Sequence, residues 1–182
     1  MKITINKYQD LSSDKLYEIL KLRSEVFIVE QNCAYQDLDN KDQKALHLIV
    51  EEKNKIIAYT RIFKKGVFFK NSSIGRVLVK KEHRRKDLGK KIMIKSIEQI
   101  KEDKNEKKIE LSAQKYLLKF YLELGFKKIG KEYLEDGIPH VKMILKILSL
   151  IHISEPTRRT PISYAVFCLK KVVCGWHVWR AD

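Results

Sequence analysis

The sequence predicts an α/β fold in a single domain, with a central sheet and helices on its faces. Two observations support this prediction. Segments that alternate apolar and polar residues like strands are interleaved with segments of helical spacing, an order that packs helices against a sheet. The 182 residues, 44% of them apolar, are enough for one core and too few for two ordinary domains.

The first half of the chain is predicted to form four strands and one long helical region. Residues 2–8 alternate like a half-buried strand, and Ser12 or Ser13 can then cap a helix whose apolar positions reach Phe27. A polar loop follows the helix, and a short turn separates two paired strands. These later elements are the loop 31–45, the strands 47–52 and 56–63 around Lys53 to Lys55, and the strand 73–79.

The second half is predicted to contain two helices and three strands. Helical spacing begins at Leu88, and a second helix over 115–124 stops at Gly125, a residue type that often ends helices. The apolar stripe of the first helix consists of Ile92, Met93, Ile97 and Ile100. The predicted strands are 108–113, 126–133 and 140–147, the last two separated by turn-forming Glu135, Asp136, Gly137 and Pro139.

The net charge of +15 raises the question of nucleic acid as a partner, because lysine and arginine clusters neutralise phosphates. The lysines are spread along most of the chain with acidic residues between them. The run 101–106, for example, has two lysines and three acidic residues, which is typical of a solvated helix end. The charge therefore does not favour nucleic acid.

Bulk features also bear on location and on metal binding. No window approaches the run of about 20 apolar residues that spans a bilayer, and the first residues lack the apolar run of a signal peptide. We therefore expect a cytoplasmic protein without a membrane partner. The sequence does not decide whether the protein forms a homodimer. The cysteines at 33, 168 and 174 lack the spacing of metal ligands, so no metal site is predicted.

Residues 148–182 differ in kind from the rest of the chain. The stretch 148–158 resembles the conceptual translation of a transposase-type sequencing adapter, and 162–169 resembles the flow-cell end of that adapter. The resemblance implies an artefactual tail, disordered or loosely packed, after a domain at 1–147; the alternative is a genuine extension with a short apolar strand. The tail holds five basic and two acidic residues, so 1–147 carries a net charge of +12.

The segment 76–93 passes from a strand through a basic turn into a helix. Such a turn aims backbone N–H groups and the positive helix end at an anion, which suits a diphosphate. A solvated loop with a glycine that eases a tight turn explains the residues alone equally well. The candidate cofactor-binding residues of the turn are Arg84, Arg85, Lys86, Asp87, Leu88, Gly89 and Lys90.

This turn resembles the acyl-CoA-binding motif of GNAT acetyltransferases, R/Q-x-x-G-x-G/A, with Arg84 at its first position and Gly89 at its last. Asp87 replaces the first glycine, which places a negative charge near a phosphate. Further stretches are similar to the ElaA-like branch of that superfamily and extend the resemblance over nearly all of 1–147. They are LRSEVFIVEQNCAYQDLDNKD (22–42), LSAQ (111–114), FYLELGF (120–126) and EDGIPHVKM (135–143).

The resemblance implies a GNAT-like mixed central sheet with helices on both faces and an acetyl-CoA-dependent N-acyltransferase. Acetyl-CoA is the acyl donor co-substrate, and an amine of a small molecule or protein attacks it directly, without an acyl-enzyme. Backbone N–H groups around Leu78 and Val79 are implied to bind the thioester carbonyl, with plain strand pairing as the alternative. Tyr121 is implied to protonate the CoA thiolate, with a core aromatic as the alternative.

The attacking amine must lose a proton, and the sequence does not identify the base. Candidates in the family-like segments are Glu30, Asp37, Asp39 and His140, each with a surface or structural role as the alternative. Asp37, Asp39 and Asp42 do not form a calcium loop, because Lys41 and Leu48 occupy ligand positions.

Two questions remain open at the level of sequence. Arg76, beside Gly75, either positions substrate or pairs with an acid of the 37–42 loop. Asp87 and the basic charge also allow a second function, a non-catalytic GNAT-like module that binds acyl-CoA or a polyanion.

Overall fold

The computed structural model of the chain describes residues 1–147, so the interpretation of 148–182 as a tail concerns residues outside this range. The strands are β1 (Lys2–Lys7), β2 (Leu46–Glu52), β3 (Lys55–Phe63), β4 (Ser72–Val79), β5 (Lys108–Gln114), β6 (Lys127–Glu135) and β7 (Ile138–Lys146). The helices are α1 (Ser13–Arg23), which continues as a π-helical segment over Ser24–Glu30, α2 (Leu88–Lys101) and α3 (Leu118–Glu123).

The seven strands form one mixed sheet in the order β1-β2-β3-β4-β5-β7-β6. Neighbouring strands are antiparallel except for β4 and β5, which are parallel and are joined through α2. A parallel pair needs such a crossover, because the chain must return to the same end of the sheet. The predicted α/β fold with a mixed central sheet is confirmed.

The helices cover both faces of the sheet. On one face α2 buries its apolar stripe against β2, β3 and β4, and Ile92 and Met93 are fully buried. On the other face Ile19 and Leu22 of α1 pack against Ile49 and Tyr59. Burying each large apolar side chain contributes about 1.5–3 kcal/mol, so these two clusters hold the helices in place.

Helix α1 begins as its sequence predicts. Ser12 is the N-cap, and its Oγ accepts a hydrogen bond from the backbone N–H of Lys15 at 3.2 Å. This bond satisfies one of the N–H groups that have no partner within the helix. The helix is long enough for three turns, but no helix in the described part of the chain is long and apolar enough to cross a membrane.

The last two strands are longer than predicted and meet in a two-residue turn. Asp136 and Gly137 have φ values of +49° and +76°, as a tight hairpin turn requires. Pro139, which the sequence assigned to the turn, lies inside β7 opposite Leu134. Proline is tolerated there because it is close to the start of the strand. The predicted helix 115–124 is a 3₁₀ turn over Lys115–Leu117 followed by α3.

Strand β4 is irregular where the sheet opens. Arg61 faces Gly75 and Tyr59 faces Leu78, so two residues of β4 lie opposite one residue of β3 in a β-bulge. Arg76, at the bulge, has φ of +51°. On its other side β4 pairs with β5 only at Ser72 and Ser73, and the strands separate beyond that point. This separation creates a cleft in the middle of the sheet.

Candidate active site

The cleft between β4 and β5 has a volume of about 130 Å³. Gly75, Arg76 and Val77 of β4 line one side, and Ser112 and Gln114 of β5 line the other. The opening is possible because the two strands share only their first two pairs.

Tyr121 of α3 is placed at this cleft. Its ring is buried, packed edge-on against Phe120 and Phe126 with centroids 5.1 and 5.9 Å away. Its hydroxyl has no hydrogen-bond partner within residues 1–147, and the residue lines the cleft. Burial raises the pKa of Tyr121, which keeps the hydroxyl protonated at neutral pH. A protonated hydroxyl at the cleft can donate a proton.

The strand register shows that the two predicted backbone donors of β4, Leu78 and Val79, point in opposite directions. Lys80 N donates to Ile57 O at 2.8 Å, and bonded and non-bonded pairs alternate along an antiparallel ladder. The Leu78–Tyr59 pair is therefore bonded, and Val79 directs its backbone groups away from β3. Arg84 Nε donates to the Val79 carbonyl at 2.9 Å, which agrees with this orientation. Leu78 pairs within the sheet, and Val79 faces the open side.

The predicted cofactor turn leads into α2. Lys91 N donates to Asp87 O, so the N–H groups of residues 88–90 precede the first bond of the helix. Arg85 and Asp87 adopt left-handed conformations, with φ of +60° and +54°. The second value explains why the family motif has glycine at this position, and aspartate is among the residues that tolerate it best. Three cations of the turn form no ion pair with any residue of 1–147: Arg85, Lys86 and Lys90.

Arg84, in contrast, is already engaged. Its guanidinium forms a bidentate ion pair with Glu30, with Nη2 2.7 Å from Oε2 and Nη1 bonded to Oε1. The hydrogen bond and charge of Glu30 raise the pKa of Arg84, and those of Arg84 lower the pKa of Glu30. Arg84 thus ties the end of α1's π-helical segment to β4.

Close packing connects the turn with Tyr121. A Cβ atom added to Gly89 would lie 3.7 Å from the Phe120 ring and 3.9 Å from Val79. The start of α2, the end of β4 and the helix that carries Tyr121 therefore meet at one place. None of the turn residues 84–90 lines the cleft itself, so the turn lies beside the cleft rather than within it.

A buried group of arginines and aspartates supports one side of the cleft. We call it the arginine–aspartate cluster: Arg23, Asp37, Asp39, Asp42, Arg61 and Arg76. Arg23 donates to Asp37 and Asp42 at 2.8 Å, and Arg61 donates to Asp39 and Asp42 at 2.8–2.9 Å. Charged groups this deeply buried require such partners. The sequence did not predict Arg23 and Arg61, because arginine in a helix or strand usually marks an exposed surface.

The cluster makes two of the candidate bases, Asp37 and Asp39, weaker proton acceptors. Burial acts to raise the pKa values of Asp37 and Asp39, but the arginines outweigh it and lower both, that of Asp39 to about 2. These carboxylates are held by Arg23 and Arg61 and are poor proton acceptors. Glu30 is occupied by Arg84.

His140 is the remaining candidate, and it lines the cleft. Its Nδ1 lies 2.8 Å from the carbonyl oxygen of Ile138. Because a carbonyl oxygen only accepts hydrogen bonds, Nδ1 carries the proton, and Nε2 of the neutral ring has a free lone pair. The ring stacks on Tyr133, with centroids 6.3 Å apart, which limits its rotation.

Acidic and polar groups of β5 and the β6–β7 hairpin complete the site. Ser112 Oγ donates to Glu135 and pairs with the Tyr133 hydroxyl, both at 2.6 Å. Glu135 and Asp136 line the cleft on this side. The site thus combines a proton donor, a proton acceptor and two carboxylates.

Comparison with known proteins agrees with this geometry. The acetyltransferase (GNAT) domain family matches residues 8–147 of the chain. The chain belongs to the GNAT acetyltransferase family. Within it, the ElaA protein of Escherichia coli K12 is 36% identical over 143 residues, which is 78% of this chain and 94% of ElaA. A UPF0039 protein of Schizosaccharomyces pombe is 39% identical over 142 residues, 77% of this chain and 93% of that protein.

Solved structures of GNAT proteins share the fold. The acyl-CoA N-acyltransferase of Pseudomonas aeruginosa has a TM-score of 0.75 at 33% identity, over 80% of this chain and 99% of that one. Escherichia coli ElaA has a TM-score of 0.74 at 35% identity, over 79% and 98%. The acetyltransferase of Thermoplasma acidophilum, 18% identical with a TM-score of 0.60 over 81% and 100%, was solved in complex with coenzyme A. The predicted ElaA-like GNAT membership is confirmed.

Proposed function

We propose that the protein transfers an acetyl group from acetyl-CoA to an amine by direct attack. The observation that carries the proposal is the meeting of three parts at Gly89: the start of α2, the end of β4 and the helix of Tyr121. The positive end of α2, the end of β4 and the helix that carries Tyr121 thus lie next to one another. The GNAT family and its CoA-bound member support acyl-CoA as the donor.

The turn before α2 binds the diphosphate of the donor in this proposal. The N–H groups of residues 88–90 and the positive end of the helix attract an anion. Arg85, Lys86 and Lys90 add positive charge, and Arg84 holds the turn against β4. All seven turn residues from Arg84 to Lys90 thus remain assigned to cofactor binding.

The acetyl group then lies at the opened edge of β4. Val79 directs its backbone toward this side, so we assign to its N–H the contact with the donor that the sequence ascribed to Leu78 and Val79 together. A donor aimed at the thioester oxygen stabilises the negative charge that develops there during attack. Leu78 contributes by holding β4 on β3.

Proton transfers complete the reaction. His140 Nε2 removes the proton from the ammonium group, since nitrogen needs a free lone pair to attack. The amine nitrogen bonds to the carbonyl carbon, the C–S bond breaks, and the departing thiolate takes the proton of the Tyr121 hydroxyl. The nitrogen then loses its second proton, which returns Tyr121 to its protonated form, and the proton on His140 passes to solvent. The products are an amide and CoA, and no covalent enzyme intermediate forms.

The test measures thiol release from acetyl-CoA with a panel of amines, together with calorimetry of CoA binding. Tyr121→Phe should lower turnover by roughly 10²- to 10⁴-fold with CoA affinity retained. Tyr116→Phe is the matched control, because this tyrosine is close in sequence and 71% exposed. Absence of CoA binding would refute the proposal.

A second function is favoured by one observation, the carboxylate of Asp87 in the phosphate turn. A negative charge there weakens CoA binding and suits a non-catalytic module that binds acyl-CoA or another polyanion weakly. Such a module would release no thiol with any amine, with or without Tyr121.

We also propose that residues 1–147 form the N-acetyltransferase domain, that 148–182 contribute nothing to it, and that the protein acts in the cytoplasm. Removal of 148–182 should leave the melting temperature and CoA affinity unchanged. A large loss of thermal stability in the shortened chain would contradict this boundary.

A further inference from the structure

We propose that the β4 side of the cleft, at Gly75, recognises an uncharged amide group of the acceptor, so that the substrate is a small amine bearing an amide. This inference rests on the proposed function and names the substrate class of the same site. It follows from an open space, two unpaired polar atoms and the balance of charge.

The open space lies above Gly75. This glycine lines the cleft, its φ does not lie in the left-handed region, and a Cβ atom added to it would have no heavy atom within 4 Å. Neither the backbone conformation nor neighbouring atoms therefore require glycine. The glycine leaves room for a ligand in the cleft, on the face of β4 toward which a Cβ atom of residue 75 would point.

Two buried polar atoms belong to residues that line the same cleft. Arg61 is the cross-strand partner of Gly75, and Ser73 precedes Gly75 by two residues, so both project from the same face of the sheet. Arg61 Nε and Ser73 Oγ have no hydrogen-bond partner among the described residues, although both residues are about 1% exposed and line the cleft. Such atoms cost about 1–3 kcal/mol each when left unpaired.

The chemistry of these atoms selects an amide. Arg61 Nε can only donate, so its partner is an oxygen with a lone pair. The Ser73 hydroxyl can donate to the same group or accept from an N–H, and rotation about its χ1 changes the direction of its oxygen. An amide offers both a carbonyl oxygen and an N–H.

Charge favours an amide over a carboxylate. The arginine–aspartate cluster contains three arginines and three aspartates, so the β4 side of the cleft carries no net positive charge. Glu135 and Asp136 line the opposite wall and attract a cation. A ligand with an ammonium group and a neutral carbonyl matches both walls, whereas a carboxylate faces two acidic side chains without a free cation.

The experiment compares three ligands that share an amino group and a branched side chain: leucinamide, leucine and 3-methylbutylamine, which lacks the carbonyl group. Each is titrated by calorimetry into the full chain saturated with CoA, and each is then assayed for CoA release. Leucinamide should bind roughly tenfold more tightly than 3-methylbutylamine, with leucine weakest. Equal binding of the three, or no binding of leucinamide, would overturn the inference.

Two variants locate the effect. Ser73→Ala should weaken leucinamide binding roughly three- to tenfold, leave 3-methylbutylamine unchanged and leave the melting temperature equal or higher, because it removes an unpaired hydroxyl. Gly75→Val should fold and bind CoA but lose leucinamide, since its side chain fills the space. Unchanged leucinamide binding in both variants would place the amide elsewhere.

The same experiments separate this inference from the proposed function. Calorimetry tests the amide subsite without turnover. If CoA binds and 3-methylbutylamine is acetylated as well as leucinamide, the acetyltransferase proposal stands and the amide subsite fails. If leucinamide binds as expected but no amine releases CoA, the subsite stands and catalysis fails.

Discussion

Arg76 Nε donates to Oδ1 of Asp37 at 2.7 Å and thereby joins the β4 bulge to the loop after α1. The same carboxylate accepts from Arg23 and from the Tyr35 hydroxyl at 2.8 and 2.9 Å. Of the two roles that the sequence leaves open for Arg76, the ion pair with an acid of the 37–42 loop is present, and Arg76 also lines the cleft. Through Asp37, the buried cluster holds the loop against the wall of the cleft.

Loss of Asp37 should therefore be costly. In Asp37→Ala, Arg23 is left buried without one of its two carboxylates, and we expect the free energy of unfolding to fall by about 3–5 kcal/mol. Urea unfolding followed by circular dichroism measures this change. Glu98→Ala is the control, because its pair with Lys95 is half exposed and should contribute about 0–1 kcal/mol. Equal effects of the two changes would show that the cluster does not stabilise the fold.

The cluster should also make stability depend on acid pH. Burial acts to raise the pKa of Asp39, but Arg61 holds it at about 2, below the ordinary value of about 3.9. A lowered pKa in the folded state contributes stability above pH 4, and this contribution is lost as the pH falls from about 4 to about 2. Melting temperatures across this range measure the loss. Asp39→Asn should flatten the curve between these values, and an unchanged slope would contradict the assignment.

Much of this architecture could be predicted from sequence, and the buried cluster could not. Strand alternation and the stripe that contains Ile92 depend on neighbours in sequence, which a single chain reveals. Arg23 and Asp37 are brought together by the tertiary fold, and each residue type usually lies at the surface. The separation of β4 from β5 likewise has no local signal, because it depends on pairing between distant segments.

At Asp87 of the cofactor turn, the effect of the negative charge can be tested separately from the effect of backbone conformation. Asp87→Asn removes the negative charge but keeps a side chain that tolerates φ near +54°, so CoA affinity at low salt should rise roughly two- to fivefold. The gain should shrink at high salt, because mobile ions screen the charge. Asp87→Ala removes the same charge but should also destabilise the turn, because alanine is strained in this conformation. Weaker CoA binding by Asp87→Asn would show that the carboxylate assists the site.

The glycine after α3 should resist substitution. Gly125 has φ of +88°, and an added Cβ atom would lie 3.3 Å from Leu145 Cδ1, so Gly125→Ala should cost about 1–2 kcal/mol. Gly130, on the exposed strand β6, has φ of +75° and no atom within 4 Å of such a Cβ. Gly130→Ala therefore isolates the backbone strain. Thermal unfolding of both variants should show the larger loss for Gly125→Ala, and the reverse order would be inconsistent with the contact to Leu145.

Calorimetric titration of the full chain with CoA, with pantetheine, which lacks the diphosphate and the 3′-phosphoadenosine, and with 3′-phosphoadenosine, which lacks the diphosphate and the pantetheine, tests the central claim most directly. If the N–H groups and cations leading into α2 hold the diphosphate, CoA binds and each of the two fragments binds at least tenfold more weakly. Equal affinity for CoA and either fragment, or no heat with CoA, would contradict the assignment of this turn as the donor site.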